Sequence, residues 1–426
     1  MKSSSTTSRF AVKAAIFSCA VALAAPATAL AQTEVRIVSG QASQNGNVLK
    51  DIFSGFAEKN GDVKVNFELD NRSDLDTTQK VLADIVAGTA PDAVRVTGAV
   101  LRAYVDSGRA QPLDNCLASA PELAAQLDSG LLEGFKVNGK LYAMPWYTTL
   151  PALFINDDAF KAAGLDPSRP PQTWSEVESA AAKLTDKSAN KFGVLMYMPN
   201  DYLFEAQLRS AGGQIVDAGG KPAVSSPESI AVMQFMRGLV EKGYMPAIAP
   251  SSFWGQFAAL FQAGDVGMLL ISSSSFPALT GKVNFHVSLA PMPIKDGGTR
   301  VVTASSNGFV MLATDPEKQA ATCKALLSLI TPENVAKTVM ATASSPHNRT
   351  AAEKADLLGD YYAKNPTLAS INTQPSVAWY SLPGKNNSEF QTAFGDIQYE
   401  ILTGTVTASE GLQKLATTMA GLLSSQ

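Results

Sequence analysis

Two hydrophobic periodicities alternate along this chain, and few architectures accept that order. Residues 34–39 (EVRIVS) and 63–69 (VKVNFEL) alternate apolar with polar positions, Val63, Val65, Phe67 and Leu69 sharing one side; that is the period of a strand. Between them, Val48, Ile52 and Phe56 recur at helical spacing. Val81, Leu82, Ile85 and Val86 mark a second helix closed by Gly88, and residues 92–97 (DAVRVT) read as a third strand. Strand, helix, strand, helix, strand predicts an α/β fold that opens on a mainly parallel sheet.

The rhythm resumes later with clearer helix starts. Thr173 with Glu176 and Thr407 with Glu410 have the spacing of capping boxes. Ser226-Pro227 and Asp315-Pro316 place proline at the first helical position, where its missing N–H is harmless. Strands are expected between these helices at 192–198, 266–272, 285–290 and 308–314. The chain has 426 residues, enough for two or three domains. A seam is expected at 144–151 (MPWYTTLP), which carries two prolines and no charge and is therefore no flexible Gly/Ser linker.

The N-terminus reads as a secretory leader over residues 1–31. Lys2, Arg9 and Lys13 precede an apolar run at 14–25, and Ala29-Leu30-Ala31 provides a cleavage site. A run of about 12 apolar residues is too short to cross a ~30 Å hydrocarbon layer. Cleavage moves the formal net charge from −4 to −7, since three bases and no acids are lost. An acidic balance disfavours nucleic acid as a partner. Cys116 and Cys323 remain, in a compartment that permits a disulfide. Cys323 shares an apolar stripe with Leu327 and Ile330, so a buried free thiol is the expectation for it.

Signatures of catalysis and metal binding are missing. Two histidines, His286 and His347, cannot build a histidine-rich metal site. Gly219-Gly220-Lys221 is followed by Pro222 and reads as a turn rather than a phosphate loop. Asp70, Asp74 and Asp76 have Arg72 where a calcium ligand would stand. No metal and no cofactor is expected. His347, in the polar stretch SSPHN, is expected at the surface. A glycosidase-type carboxylate pair passes this screen, although nothing nominates two of the 38 acids.

Polar clusters at strand ends are the positive signals. Residues 272–275 place four serines beyond an apolar strand, where open α/β sheets bind ligands. Residues 303–308 (TASSNG), with Ser305 and Asn307, read as a polar stretch preceding a strand. Tyr147, Thr148 and Thr149 lie in the seam, and Asn200, Asp201 and Tyr202 follow a strand. Together they suggest a polar cleft between two lobes.

A series of segments resembles the extracellular solute-binding proteins of ABC importers, in the family of the maltose and glycerol-3-phosphate binders. They run in order through Ala90-Pro91-Asp92, LYAMP at 141–145, LFIND at 153–157, FKAAGL at 160–165, PPQTWSEV at 170–177, FQAGD at 261–265 and APMP at 290–293. The resemblance spans about residues 34–424. It implies a two-lobed periplasmic binding protein of the type II-like class, two open α/β lobes joined by a hinge that closes on a solute. It also implies crossovers, with lobe I at 32–147 plus about 284–340 and lobe II at 148–283 plus about 341–426, the chain returning near 281–284.

By the same resemblance Thr149, Asn200, Tyr202, Ser272, Ser273 and Ser344 are candidate ligand residues, with Tyr202 stacking on sugar; Tyr147, Ser305 and Asn307 join them from the polar clusters of the seam and strand ends. Arg72 and Arg95 are candidate anion partners whose plainer reading is a solvated charge. The late segment 381–388 (SLPGKNNS) lacks the arginine expected to grip phosphate, although Lys385 is nearby. The implied function is the periplasmic component of an ABC importer that binds a carbohydrate or polyol, a polyol phosphate such as glycerol 3-phosphate included. It would be a non-enzymatic monomer with permease subunits as partners. An exported carbohydrate-active hydrolase and a protein-binding scaffold are the alternatives.

Overall fold

The computed structural model describes Met1 and residues 32–424 apart from 41, 71, 73, 373 and 383–385. The expected leader, Met1 aside, and Lys385 therefore lie outside the described residues. The first three strands are β1 (Thr33–Ser39), β2 (Val63–Leu69) and β3 (Ala93–Thr97). A short hairpin, β4 (Lys136–Val137) and β5 (Lys140–Leu141), leads into β6 (Ala143–Thr149) and β7 (Pro151–Asn156). Then come β8 (Phe192–Leu195), β9 (Val266–Ser272), β10 (Val287–Pro291), β11 (Val302–Met311) and β12 (Ser376–Ala378).

Two sheets result. In the first, β2, β1 and β3 are parallel, β11 runs antiparallel to β3, and both β6 and β12 pair with β11. In the second the order is β10-β7-β9-β8. β6 and β7 are buried at every position, because helices and neighbouring chain cover both faces; a continuous apolar run is the sequence consequence. β2 alternates, as a half-exposed edge strand does.

Each sheet has its own core. One cluster draws on residues from Val35 to Tyr147 and from Phe309 to Ile330, with Phe53, Tyr104 and Trp146 fully buried. The other draws on Leu150 to Ala304 and on Ala343 to Leu422, with Phe154, Phe204 and Phe394 at its centre. Burying each such ring contributes about 1.5–3 kcal/mol. Val335, Ala336, Val339, Ala351 and Leu358 form a small third cluster. The chain thus changes core between Tyr147 and Leu150, between Ala304 and Phe309, and between Ile330 and Ala343.

Four expectations are corrected. The return to the first core is not near 281–284: β10 pairs with β7 in the second sheet, and the change falls inside β11. Residues 303–308 do not precede a strand but lie within β11, where polar residues are tolerated because three chain segments meet there. Cys323 is not a free thiol: it forms a disulfide with Cys116 across 207 residues, joining helices Asp114–Ala118 and Pro316–Leu327. His347 is not at the surface. It is 1% exposed, because its carbonyl accepts from the Asp128 N–H and pins the segment inward.

The expected helix starts are carried by real caps. Thr407 and Glu410 exchange hydrogen bonds, N–H to Oε2 at 3.0 Å and N–H to Oγ1 at 3.2 Å. Ser226 and Asp315 accept from the first-turn amides of helices Pro227–Glu241 and Pro316–Leu327. Thr173 accepts from Glu176, whose carboxylate takes the Gln172 N–H instead of the Thr173 one.

Candidate functional site

The polar centre of the molecule is the place where the chain passes between the sheets. β6 and β11 run antiparallel, with Tyr147 opposite Asn307, Thr148 opposite Ser306 and Thr149 opposite Ser305. A third segment joins them, the Ser345 N–H donating to the Thr148 carbonyl at 2.7 Å. The ladder shifts by one residue between Asn307 and Gly308. Gly308 is required at that bulge, since a Cβ there would lie 2.6 Å from the Met144 carbonyl oxygen. Just past β9, the Ser273 N–H reaches the Leu150 carbonyl at 2.9 Å. Six hydroxyl side chains are thereby gathered on neighbouring segments: Thr148, Thr149, Ser305, Ser306, Ser344 and Ser345. The hydroxyls of Thr148 and Ser273 are buried with no partner among the described residues.

Helix Tyr202–Ser210 points its first turn at this crossing. The Tyr202 hydroxyl donates to the Thr149 carbonyl at 3.2 Å, and Thr303 Oγ1 donates to the Tyr202 carbonyl at 3.1 Å. Trp379, just past β12, is fixed by its N–H to Ala304 at 3.0 Å. Its ring meets Tyr202 edge-on at 5.3 Å and is only half-buried. The indole N–H donates to Asp201 Oδ1 at 2.9 Å, an oxygen that also accepts from Gln391 at 2.6 Å. Burial, then the nearby Glu205 carboxylate, push the Asp201 carboxyl up to about 7. Burial also raises Glu205, opposed by Arg209 at 2.8 Å and by the Tyr380 N–H at 2.9 Å.

The structure brings most of the expected ligand residues to this seam, in two states. Asn200, Ser272 and Ser305 are half-buried and reach solvent. Tyr147, Thr149, Tyr202, Ser273, Asn307 and Ser344 are buried. Asn307 gives its side-chain oxygen to Arg95 at 2.6 Å, so its role is to hold that guanidinium. Arg95 is no solvated charge: it is 6% exposed, pairs with Asp74 at 2.6 Å and lies over the Trp146 ring. Arg72 is exposed and pairs with Asp70 at 2.6 Å, beyond β2. Tyr202 does not present its ring face for stacking, because Trp379 and the hinge backbone enclose it.

Trp379 and the Ser345–Asn372 pair at 2.9 Å are the seam residues that sequence reasoning did not nominate, and Asp201 entered it only as part of the polar stretch before Tyr202. The one available signal was the aromatic pair in PSVAWYS, within a polar stretch late in the chain. Among the described residues there is no group of His, Cys, Asp or Glu that could hold a metal ion. No helix among them is long and apolar enough to cross a membrane.

A family model described as bacterial extracellular solute-binding protein matches residues 40–336. A Brucella abortus protein named only as a binding protein is 25% identical over 79% of this chain and 80% of its own. The fold of UgpB from Mycobacterium tuberculosis, solved with glycerophosphocholine, superposes with a TM-score of 0.80 at 20% identity, covering 93% of this chain and 99% of that one. An ABC substrate-binding protein from Listeria monocytogenes, solved with cycloalternan, gives a TM-score of 0.80 at 20% identity, covering 92% and 99%.

Proposed function

The chain belongs to the bacterial extracellular solute-binding proteins, and from that membership we propose that it binds a carbohydrate or polyol at the seam between its two lobes and delivers it to the membrane subunits of an ABC importer. The observation that carries this reading is the collection of Thr, Ser and Asn side chains around the chain crossings, beside the half-buried Trp379 ring. Hydroxyls and amides match the alternating donors and acceptors of a polyol, and an aromatic ring suits the apolar face of a sugar. The Listeria and Mycobacterium structures hold ligands rich in hydroxyl or glycerol groups, which supports the same class.

A neutral solute is favoured over a phosphate. Both arginines nominated at the sequence level already have carboxylate partners, Arg72 with Asp70 and Arg95 with Asp74. The hydrolase alternative needs two carboxylates open to substrate; Asp201 and Glu205, beside the seam, are both fully buried and hydrogen-bonded, and Asp74 is paired with Arg95. Export through a cleaved leader and a monomeric state complete the reading.

A thermal-shift panel of maltooligosaccharides, polyols, glycerol 3-phosphate and glycerophosphocholine tests it. A ligand at about 100 times its Kd adds about 2.7 kcal/mol of stability. A flat response to the whole panel refutes the proposal, and chemical conversion of a bound ligand moves the balance to the hydrolase.

A further inference from the structure

Asp201 is an unusual place for a carboxylate. It occupies the position before helix Tyr202–Ser210, yet its side chain does not cap that helix. It is 0% exposed, and Oδ2 has no partner among the described residues. The nearest cation on its own helix, Arg209, is taken by Glu205. Leaving a buried carboxylate without a cation costs stability, so the usual structural reasons for an aspartate here do not apply. What the side chain does is hold Trp379. Oδ1 accepts the indole N–H at 2.9 Å, while Gln391 clamps Asp201 from the other side through Nε2 to Oδ1 at 2.6 Å and Oε1 from the Asp201 N–H at 3.1 Å.

We propose that Asp201 is a positioning residue for the Trp379 ring, so that the protonation state of one buried carboxyl sets how the seam presents its aromatic surface to solute. This rests on the seam being the solute site. The charged and titratable groups around Asp201 are Glu205 and Arg209 on its own helix, Tyr380 beside Trp379, and Arg102 from helix Gly98–Asp106, which acts on Tyr380; Gln391 is uncharged. Burial and Glu205 both hold the Asp201 proton on toward neutrality, and no cation opposes them at Asp201 itself. Losing that proton makes Oδ1 a stronger acceptor for the indole N–H. The ring is then held more firmly above neutral pH than below it.

The test needs no ligand. Tryptophan fluorescence and acrylamide quenching of the full chain are followed from pH 5 to 9, with Trp379→Phe subtracted to isolate that ring. The Trp379 component is expected to titrate near pH 7, with quenching at least twofold lower on the alkaline side. Asp201→Asn keeps an acceptor oxygen and is expected to abolish the titration while leaving the ring in place; Asp201→Ala is expected to raise quenching at every pH. A flat Trp379 profile in the unmodified chain, or an unaltered titration in Asp201→Asn, overturns the positioning role. Far-UV circular dichroism identifies a variant that has simply unfolded, and Asp201→Asn then decides. A titrating Trp379 with no response to the solute panel counts against the carbohydrate reading and not against the positioning.

Discussion

Ser381 Oγ donates a 2.8 Å hydrogen bond to the carbonyl oxygen of Ala99, and Asn387 Nδ2 donates to the same oxygen at 3.2 Å. Ala99 lies in the first turn of helix Gly98–Asp106, which packs in the first core. Ser381 and Asn387 flank Leu382, which is buried in the second. One carbonyl thus ties the two lobes together away from their chain crossings. The tie is anchored on the far side by Trp379 to Asp201 and by Tyr380 to Glu205.

Removing that tie is expected to loosen closure without unfolding either lobe. Ser381→Ala with Asn387→Ala removes both hydrogen bonds to Ala99, each with a net value of about 0.5–1.5 kcal/mol, and also the 3.0 Å bond from the Leu382 N–H to Asn387 Oδ1. The radius of gyration of the unliganded protein, from solution X-ray scattering, should rise. The melting temperature should fall by only a few degrees, since neither core loses apolar contact. An unchanged radius would show that the contact does not hold the lobes.

Trp379 and Tyr202 are expected to separate binding from folding. Trp379→Ala removes the half-exposed ring and should weaken solute binding by roughly 1–3 kcal/mol, read by calorimetric titration. Tyr202→Phe loses the hydroxyl's hydrogen bonds to Thr149 and Ser272 while keeping the ring, and should cost about 1 kcal/mol of stability with affinity nearly intact. The reverse pattern would make Tyr202 the aromatic platform that sequence reasoning expected.

The Cys116–Cys323 bond closes a loop of 207 residues within the first core. Constraining so long a loop in the unfolded chain, together with native contacts, is expected to contribute about 2–5 kcal/mol. Cys116→Ser with Cys323→Ser, or reduction of the unmodified protein, should lower the unfolding free energy from a urea titration by that much. If the lobes unfold in separate steps, only the step of the first lobe should shift.

The regular elements were legible because their signals are local. The Thr407–Glu410 capping box and the Val63–Leu69 alternation depend on residues a few positions apart. What could not be read depends on distant partners. Residues 303–308 look like a polar loop until Thr148, Ser345 and Tyr202 are placed around them, and the same residues are where the chain changes core. Asn200 and Ser272 could be found by their position at the ends of apolar strands, and Ser305 by its polar stretch alone. Asp201 and Trp379, 178 residues apart, acquire meaning only as a pair. Cys323 misled because a helix stripe describes a face and not what lies opposite it, which here is Cys116.

His347 gives the protein a stability term that is lost in acid. It is buried, neither ring nitrogen has a partner among the described residues, and burial lowers its pKa to about 3. In the unfolded chain the ring takes a proton near 6.5. The folded value lies below the unfolded one, so the contribution is intact above about pH 6.5 and falls as pH drops toward 3, by about 1.4 kcal/mol per pH unit at most. Asp201 works in the opposite sense. Its folded value of about 7 lies above the 3.8 of an ordinary aspartate, so it adds stability as pH falls through that window. The two slopes offset each other in the unmodified protein, and a single pH–stability curve would hide both. Comparing urea midpoints of the unmodified chain and His347→Leu at pH 7, 6, 5 and 4 separates them. The variant should gain on the parent progressively below pH 6.5, and a constant difference across the series would mean that the imidazole takes up its proton in the folded state as readily as in the unfolded chain.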